Sequence, residues 1–238
     1  MTDAPDARLR IYAPGSLRPV RNAILSGFHA AAPGVRAEFA SAAYSGVLAQ
    51  QIREGAPADV FISAHPRYLD ELHAAGLAAR PHPLARNRLL LVGRADLDPH
   101  LTGIEDVARN GVRIVIPPPI DPLGEYAVEL LARAGLTHAI ARKRERGEVR
   151  EHLASLRSWL DCGEVDAAVL YASMAGSFPD TRVTLLPPSL DMHERVVFGI
   201  GKIERDGRPH PAAGQFISWM LGDEGQAVLR RGGFLPLT

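Results

Sequence analysis

Two rhythms alternate along the chain: short runs of consecutive apolar residues, and stretches in which apolar residues recur every three or four positions. Leu9 to Ala13 is the first run and predicts a buried strand. From Leu17 to about Ala32, Val20, Ile24, Leu25 and Phe28 share one helical face, which Pro33-Gly34 closes. Val35 to Ala40 predicts a second strand. A helix from Gly46 to Arg53 follows, with Val47, Leu48 and Ile52 as its stripe and Gly55-Ala56-Pro57 as its end. Asp59 to Ser63 reads as a third strand and Pro66 to Ala75 as a third helix with proline in its first turn. This alternation predicts an α/β fold with a mostly parallel sheet covered on both faces.

The same rhythm continues with strands at Arg88 to Val92 and Ile114 to Ile116, the second stopped by Pro117-Pro118-Pro119. Helices are predicted from Gly124 to Ala134 and from Arg150 to Leu160. A strand from Asp166 to Leu170 then delivers Tyr171 to a C-terminal sheet edge, where open α/β sheets bind ligands. Val196 to Ile200 is the last strand, and helices at Ala212 to Leu221 and Glu224 to Arg231 finish the chain. The sequence carries no internal repeat.

A length of 238 residues with 46% hydrophobic side chains suits one large domain or two small lobes with packed cores. The charge balance, 27 basic against 27 acidic residues, removes the field that would hold nucleic acid. The single cysteine, Cys162, excludes an intrachain disulfide and a cysteine-based zinc site. No run approaches the roughly 18 apolar residues of a membrane span, and Met1 to Asp6 lacks the features of a signal peptide. The expectation is a cytosolic protein or an export product shown without its leader.

Two turns stand out: Pro14-Gly15-Ser16-Leu17 and Tyr44-Ser45-Gly46-Val47, each where a strand gives way to an amphipathic run. Helix starts present unpaired N–H groups and partial positive charge, so two of them, each with a serine hydroxyl, would make an anion cradle. Capping is the plainer role for such serines, and the two roles are compatible.

The chain resembles the periplasmic molybdate-binding proteins, solute-binding components of ABC importers. The resemblance rests on Ala13 to Leu17, Ser45-Gly46 with Leu48 to Ile52, Gly55 to Ala64, Gly163 to Asp166 with Val169-Leu170-Tyr171, Phe216, Gly225 to Ala227, and Gly233 to Pro236, in that order. It implies a two-lobe type II fold of mixed, mostly parallel sheets flanked by helices, with a ligand cleft between lobes. Residues 7–84 with 196–238 would form the first lobe and 85–195 the second. The implied ligand contacts are Ser16, Ser45, the N–H of Leu123, a backbone donor at Leu153 or at Val149-Arg150, and Tyr171. The implied cargo is molybdate or tungstate, delivered to a membrane permease by a periplasmic monomer that carries no cofactor, ligates no cation and has no enzymatic activity. Molybdate accepts hydrogen bonds through all four oxygens and donates none near neutral pH, which suits a cradle of hydroxyls and amides.

Some residues depart from that pattern. Arg18 would clamp an oxyanion or lie on the surface, and Asp121 and Glu125 would repel a dianion unless they point away or accept a proton from the ligand. They leave open a different small solute, and a cytosolic sensor of the same fold is a further alternative. The basic stretch from His138 to Arg150 reads as a solvated helix face, and Gly199 and Gly201 as parts of a hinge strand. A hydrolase would need Ser16 or Ser45 with one of nine histidines, but no Gly-x-Ser-x-Gly elbow is present. His65, His73 and His193 read as surface or loop residues. Ser45→Ala is expected to weaken binding and leave the fold intact.

Overall fold

The computed structural model describes residues 8–204 and 209–237. The segment Met1 to Asp6, residue 7 and residue 238 lie outside them. The chain begins with β1 (Leu9–Tyr12), α1 (Arg21–Ala31), β2 (Ala37–Ser41), α2 (Ser45–Arg53), β3 (Val60–Ser63), α3 (Pro66–Ala74) and β4 (His82–Arg86). It continues through β5 (Leu89–Arg94), β6 (Ile114–Val115), α4 (Pro122–Arg133), α5 (Thr137–Glu145), β7 (Val149–Arg150), α6 (Leu156–Asp161), β8 (Ala167–Tyr171) and β9 (Thr181–Leu185). It ends with β10 (Val197–Lys202), α7 (Ala213–Leu221) and α8 (Asp223–Arg231).

These elements pack as two units. One runs to Arg86 and resumes at Val197; the other spans Asn87–Val196. The first holds a sheet of order β2-β1-β3-β10-β4, in which β10 runs antiparallel to both neighbours. Its apolar positions divide between two faces, with Tyr12, Leu48, Ile52, Phe61, Leu69 and Leu72 clustering under α2 and α3. Phe28 of α1 stacks edge-on against Phe216 of α7, ring centroids 5.0 Å apart. Gly199 and Gly201 of β10 are spacers for α3: a Cβ at either would lie within 2.9 Å of the Leu69 side chain. Close packing of Leu69, rather than hinge freedom, accounts for them.

The second unit repeats the plan with the order β7-β6-β8-β5-β9 and β5 antiparallel to its neighbours. An aspartate anchors the same junction in each sheet. Asp59 donates its N–H to Arg10 O at 2.9 Å and accepts the Arg10 N–H on Oδ2 at 2.7 Å, tying β3 to β1. Asp166 does the same with Arg113 at 2.8 Å in both directions, and also binds the guanidinium groups of Arg113 and Arg94. The two units thus share a topology that the side-chain sequence does not repeat.

Three expectations are corrected. The helix predicted from Arg150 to Leu160 starts only at Leu156, after a 3-10 turn at Leu153–Ser155, because Val149 and Arg150 pair as a strand with Ile114 and Val115. The helix predicted from Leu17 opens as a 3-10 turn over Gly15–Val20 and becomes α-helical at Arg21, since Pro19 has no N–H to donate. The basic stretch from His138 is not a fully solvated face. Lys143 is 0% exposed, with Nζ donating to Arg109 O at 2.7 Å, Val112 O at 2.6 Å and Glu148 Oε2 at 2.9 Å.

Candidate functional site

In the first unit β1, β2 and β3 run parallel side by side, so their C-terminal ends share one edge of the sheet. The turn carrying Ser16 follows β1, Ser45 opens α2 shortly after β2, and Ala64 and His65 follow β3. Neither serine is a helix cap: the capping positions are Pro14 and Tyr44, and neither makes a side-chain capping bond. Ser45 is buried and its Oγ accepts the N–H of Ala64 at 3.0 Å, leaving its proton available to donate. Ser16 is 7% exposed, and its Oγ has no hydrogen-bond partner among the described residues. A buried hydroxyl without a partner is uncommon in folded proteins and marks a place where something else supplies the bond.

His65, expected at the surface or in a loop, is a buried residue that caps α3, its Nδ1 accepting the Arg67 N–H at 3.1 Å. His73 is exposed and its Nδ1 lies 2.9 Å from Ala78 O, while His193 is half-buried beside Asp191. Arg18 is exposed.

In the second unit β6 and β8 are parallel neighbours, so the segment leading into α4 and the residue ending β8 also lie at one sheet edge. That residue is Tyr171, 1% exposed, whose ring meets Tyr126 of α4 edge-on at 6.4 Å. Asp121 caps α4, its Oδ1 accepting the N–H of Leu123 at 3.0 Å. The donor that the resemblance assigns to Leu123 is therefore engaged by a side chain of its own turn. The Asp121 carboxyl is pushed up to about 6 by burial, which its bond to Leu123 only partly offsets. Glu125 stands one turn further along α4, half-buried. Leu153 begins the short 3-10 turn and is half-buried, whereas Val149 and Arg150 are committed to the sheet.

Asp121's capping bond is the contribution that sequence reasoning missed. The signal was present: Asp followed by Pro at the first helical position is a common helix start. Chemically, the first unit offers neutral hydroxyl donors, and the second a tyrosine at the end of β8 and, at the start of α4, a carboxyl of raised pKa. Among the described residues no group of three or more His, Cys, Asp or Glu side chains is arranged to hold a metal ion, and no helix is long and apolar enough to cross a membrane.

Comparison with known proteins agrees with this picture. A family model described as bacterial extracellular solute-binding protein matches residues 9–235. The molybdate-binding protein ModA of Mycobacterium tuberculosis is 29% identical over 229 residues, which cover 94% of this chain and 83% of that protein. Among solved structures, the periplasmic molybdate-binding protein of Azotobacter vinelandii has a TM-score of 0.77 at 22% identity, covering 96% of this chain and 99% of its own. The sulfate-binding protein SubI of M. tuberculosis also reaches 0.77, at 15% identity, covering 97% of this chain and 87% of its own. Two mixed sheets flanked by helices are the type II architecture that the resemblance implied.

Proposed function

We propose, from the premise that this chain belongs to the bacterial extracellular solute-binding proteins, that it captures a small tetrahedral oxyanion, molybdate or tungstate, and delivers it to an ABC permease. It works in the periplasm as a monomer, performs no chemistry on its cargo and needs no cofactor. Ser16 and Ser45 bind from the first unit; Tyr171 and a backbone donor near Leu153 bind from the second. The buried Ser16 hydroxyl without a partner is the observation that carries this reading. The names of the relatives supply the choice of oxyanion, and the sulfate-binding neighbour makes sulfate the competitor to test.

Neutral donors suit such a cargo. A dianion placed among hydroxyl and amide dipoles gains charge-assisted hydrogen bonds without the desolvation of a buried counter-ion. Serine hydroxyls adjust their protons by rotation, so they fit an anion that only accepts.

The two serines should separate under substitution. Ser16→Ala removes a hydroxyl that no described residue uses, so thermal unfolding should be unchanged or slightly raised. Its affinity for molybdate should fall by about 1.5–3 kcal/mol, roughly 10- to 150-fold, the worth of a hydrogen bond to a charged group. Ser45→Ala should lose binding and also some stability, because it strands the buried N–H of Ala64. That modifies the expectation of an intact fold. The check is isothermal titration with molybdate, tungstate, sulfate and phosphate, alongside thermal unfolding. A Ser16→Ala variant that binds like the native protein would remove the basis of the proposal.

A further inference from the structure

We propose that the oxyanion is captured together with one proton, held between the solute and the carboxyl of Asp121. The inference rests on the oxyanion reading above and concerns what α4 presents to the cargo. Pro122 has no N–H. The N–H of Leu123 goes to Asp121 Oδ1 at 3.0 Å, that of Gly124 to Asp121 O at 2.9 Å, and that of Glu125 to the same oxygen at 3.3 Å. The first turn of α4 therefore has no open donor to offer. What it presents instead is a carboxyl group that is 7% exposed and whose Oδ2 is bonded by no described residue.

An ionised carboxylate in that place repels a dianion and has no hydrogen to share with it. A neutral carboxylic acid keeps the Leu123 N–H on Oδ1 and donates through Oδ2, turning the same side chain from a barrier into a donor. The environment favours the change. Burial holds the Asp121 carboxyl near 6 before any anion arrives, and no charged side chain contributes to that displacement. The titratable groups on the surrounding elements are Glu125, Tyr126, Glu129 and Arg133 on α4 itself, of which Glu129 and Arg133 pair with each other, Tyr171 at the end of β8, and His138, Arg142, Lys143, Arg144 and Glu145 on α5; the segment 117–120 has none. A dianion at the site would raise the carboxyl further, so solvent supplies one proton as the anion binds.

Titration calorimetry of the native protein with molybdate, in buffers of differing ionisation enthalpy at pH 7, should show an uptake of about one proton per anion bound. The Kd should weaken about tenfold from pH 7 to pH 8 as that proton becomes scarcer. Asp121→Asn keeps the cap and supplies a neutral donor at every pH. It should take up no proton, lose the pH dependence, and bind at pH 8 about tenfold or more tighter than the native protein. Glu125→Gln should retain the native slope. Molybdate binding without proton uptake, or a slope that survives Asp121→Asn or vanishes in Glu125→Gln, would overturn the proton linkage and leave the oxyanion reading standing. A native protein that binds neither molybdate nor tungstate would overturn both.

Discussion

Replacing Lys143 by methionine is expected to lower stability by about 3–5 kcal/mol, because it removes one partner of a buried ion pair and the donor to two carbonyls. Lys143 Nζ bonds Arg109 O, Val112 O and Glu148 Oε2, joining α5 to the loop before β6 and to the turn before β7. Methionine fills much of the volume but takes their ammonium donor from the buried carbonyls of Arg109 and Val112, and leaves Glu148 with Arg146 alone. In a chain of this length the loss corresponds to a fall of about 10 °C or more in Tm, at about 2–4 °C per kcal/mol. Chemical denaturation followed by circular dichroism measures it, and a change below 1 kcal/mol would show that water replaces the ammonium. Acid acts on the same group. The Arg146 guanidinium and the Lys143 ammonium hold the Glu148 carboxyl down at about 2. Its folded value lies below its unfolded one, so its stabilisation is complete above the ordinary glutamate range and is lost as pH falls from about 4.3 towards 2.

Gly124→Ala should be comparably severe, and it acts at the candidate site. A methyl group there would overlap the carbonyl oxygen of Pro117 and lie 2.7 Å from that of Pro118. Both belong to a run of three prolines with fixed φ, which gives way less readily than a side chain would. Overpacking against so stiff a neighbour is expected to cost at least about 3 kcal/mol. If the variant folds, α4 must shift away from the 117–119 segment, carrying Asp121 and Tyr126 with it. Thermal unfolding and molybdate titration should then both be impaired. A variant with native Tm and native affinity would overturn the tight seating of α4 against the 117–119 segment.

Legibility in the sequence followed burial. The strands that lie inside the two sheets, and the helices over them, left clear runs and stripes: Leu9 to Tyr12, Val60 to Ser63 and Leu89 to Val92 are buried almost throughout. Three of the edge strands left little. His82–Arg86 contains Pro83, which only an edge tolerates, and Thr181–Leu185 exposes Val183 and Leu185, so neither carries the apolar pattern of a strand. Val149–Arg150 is two residues long and exists through its pairing with β6, a long-range fact that local periodicity cannot contain. The serine turns were legible because strand ends and helix starts are. The bond between Ser45 and Ala64, 19 residues apart, and the missing partner of Ser16 are properties of the folded edge.

The doubled sheet plan, with its two aspartate clasps, has a consequence for how such a protein changes its cargo. Framework and proposed recognition are assigned to different parts of the chain: Asp59 and Asp166 lock strands together at the strand starts, while the proposed solute contacts lie at or beyond the opposite, C-terminal strand ends. A mutation in one turn can exchange one hydrogen-bonding group for another, the role proposed for Asp121 at α4, with the other unit untouched. New selectivity can then arise by mixing two independently varied palettes on an unaltered chassis.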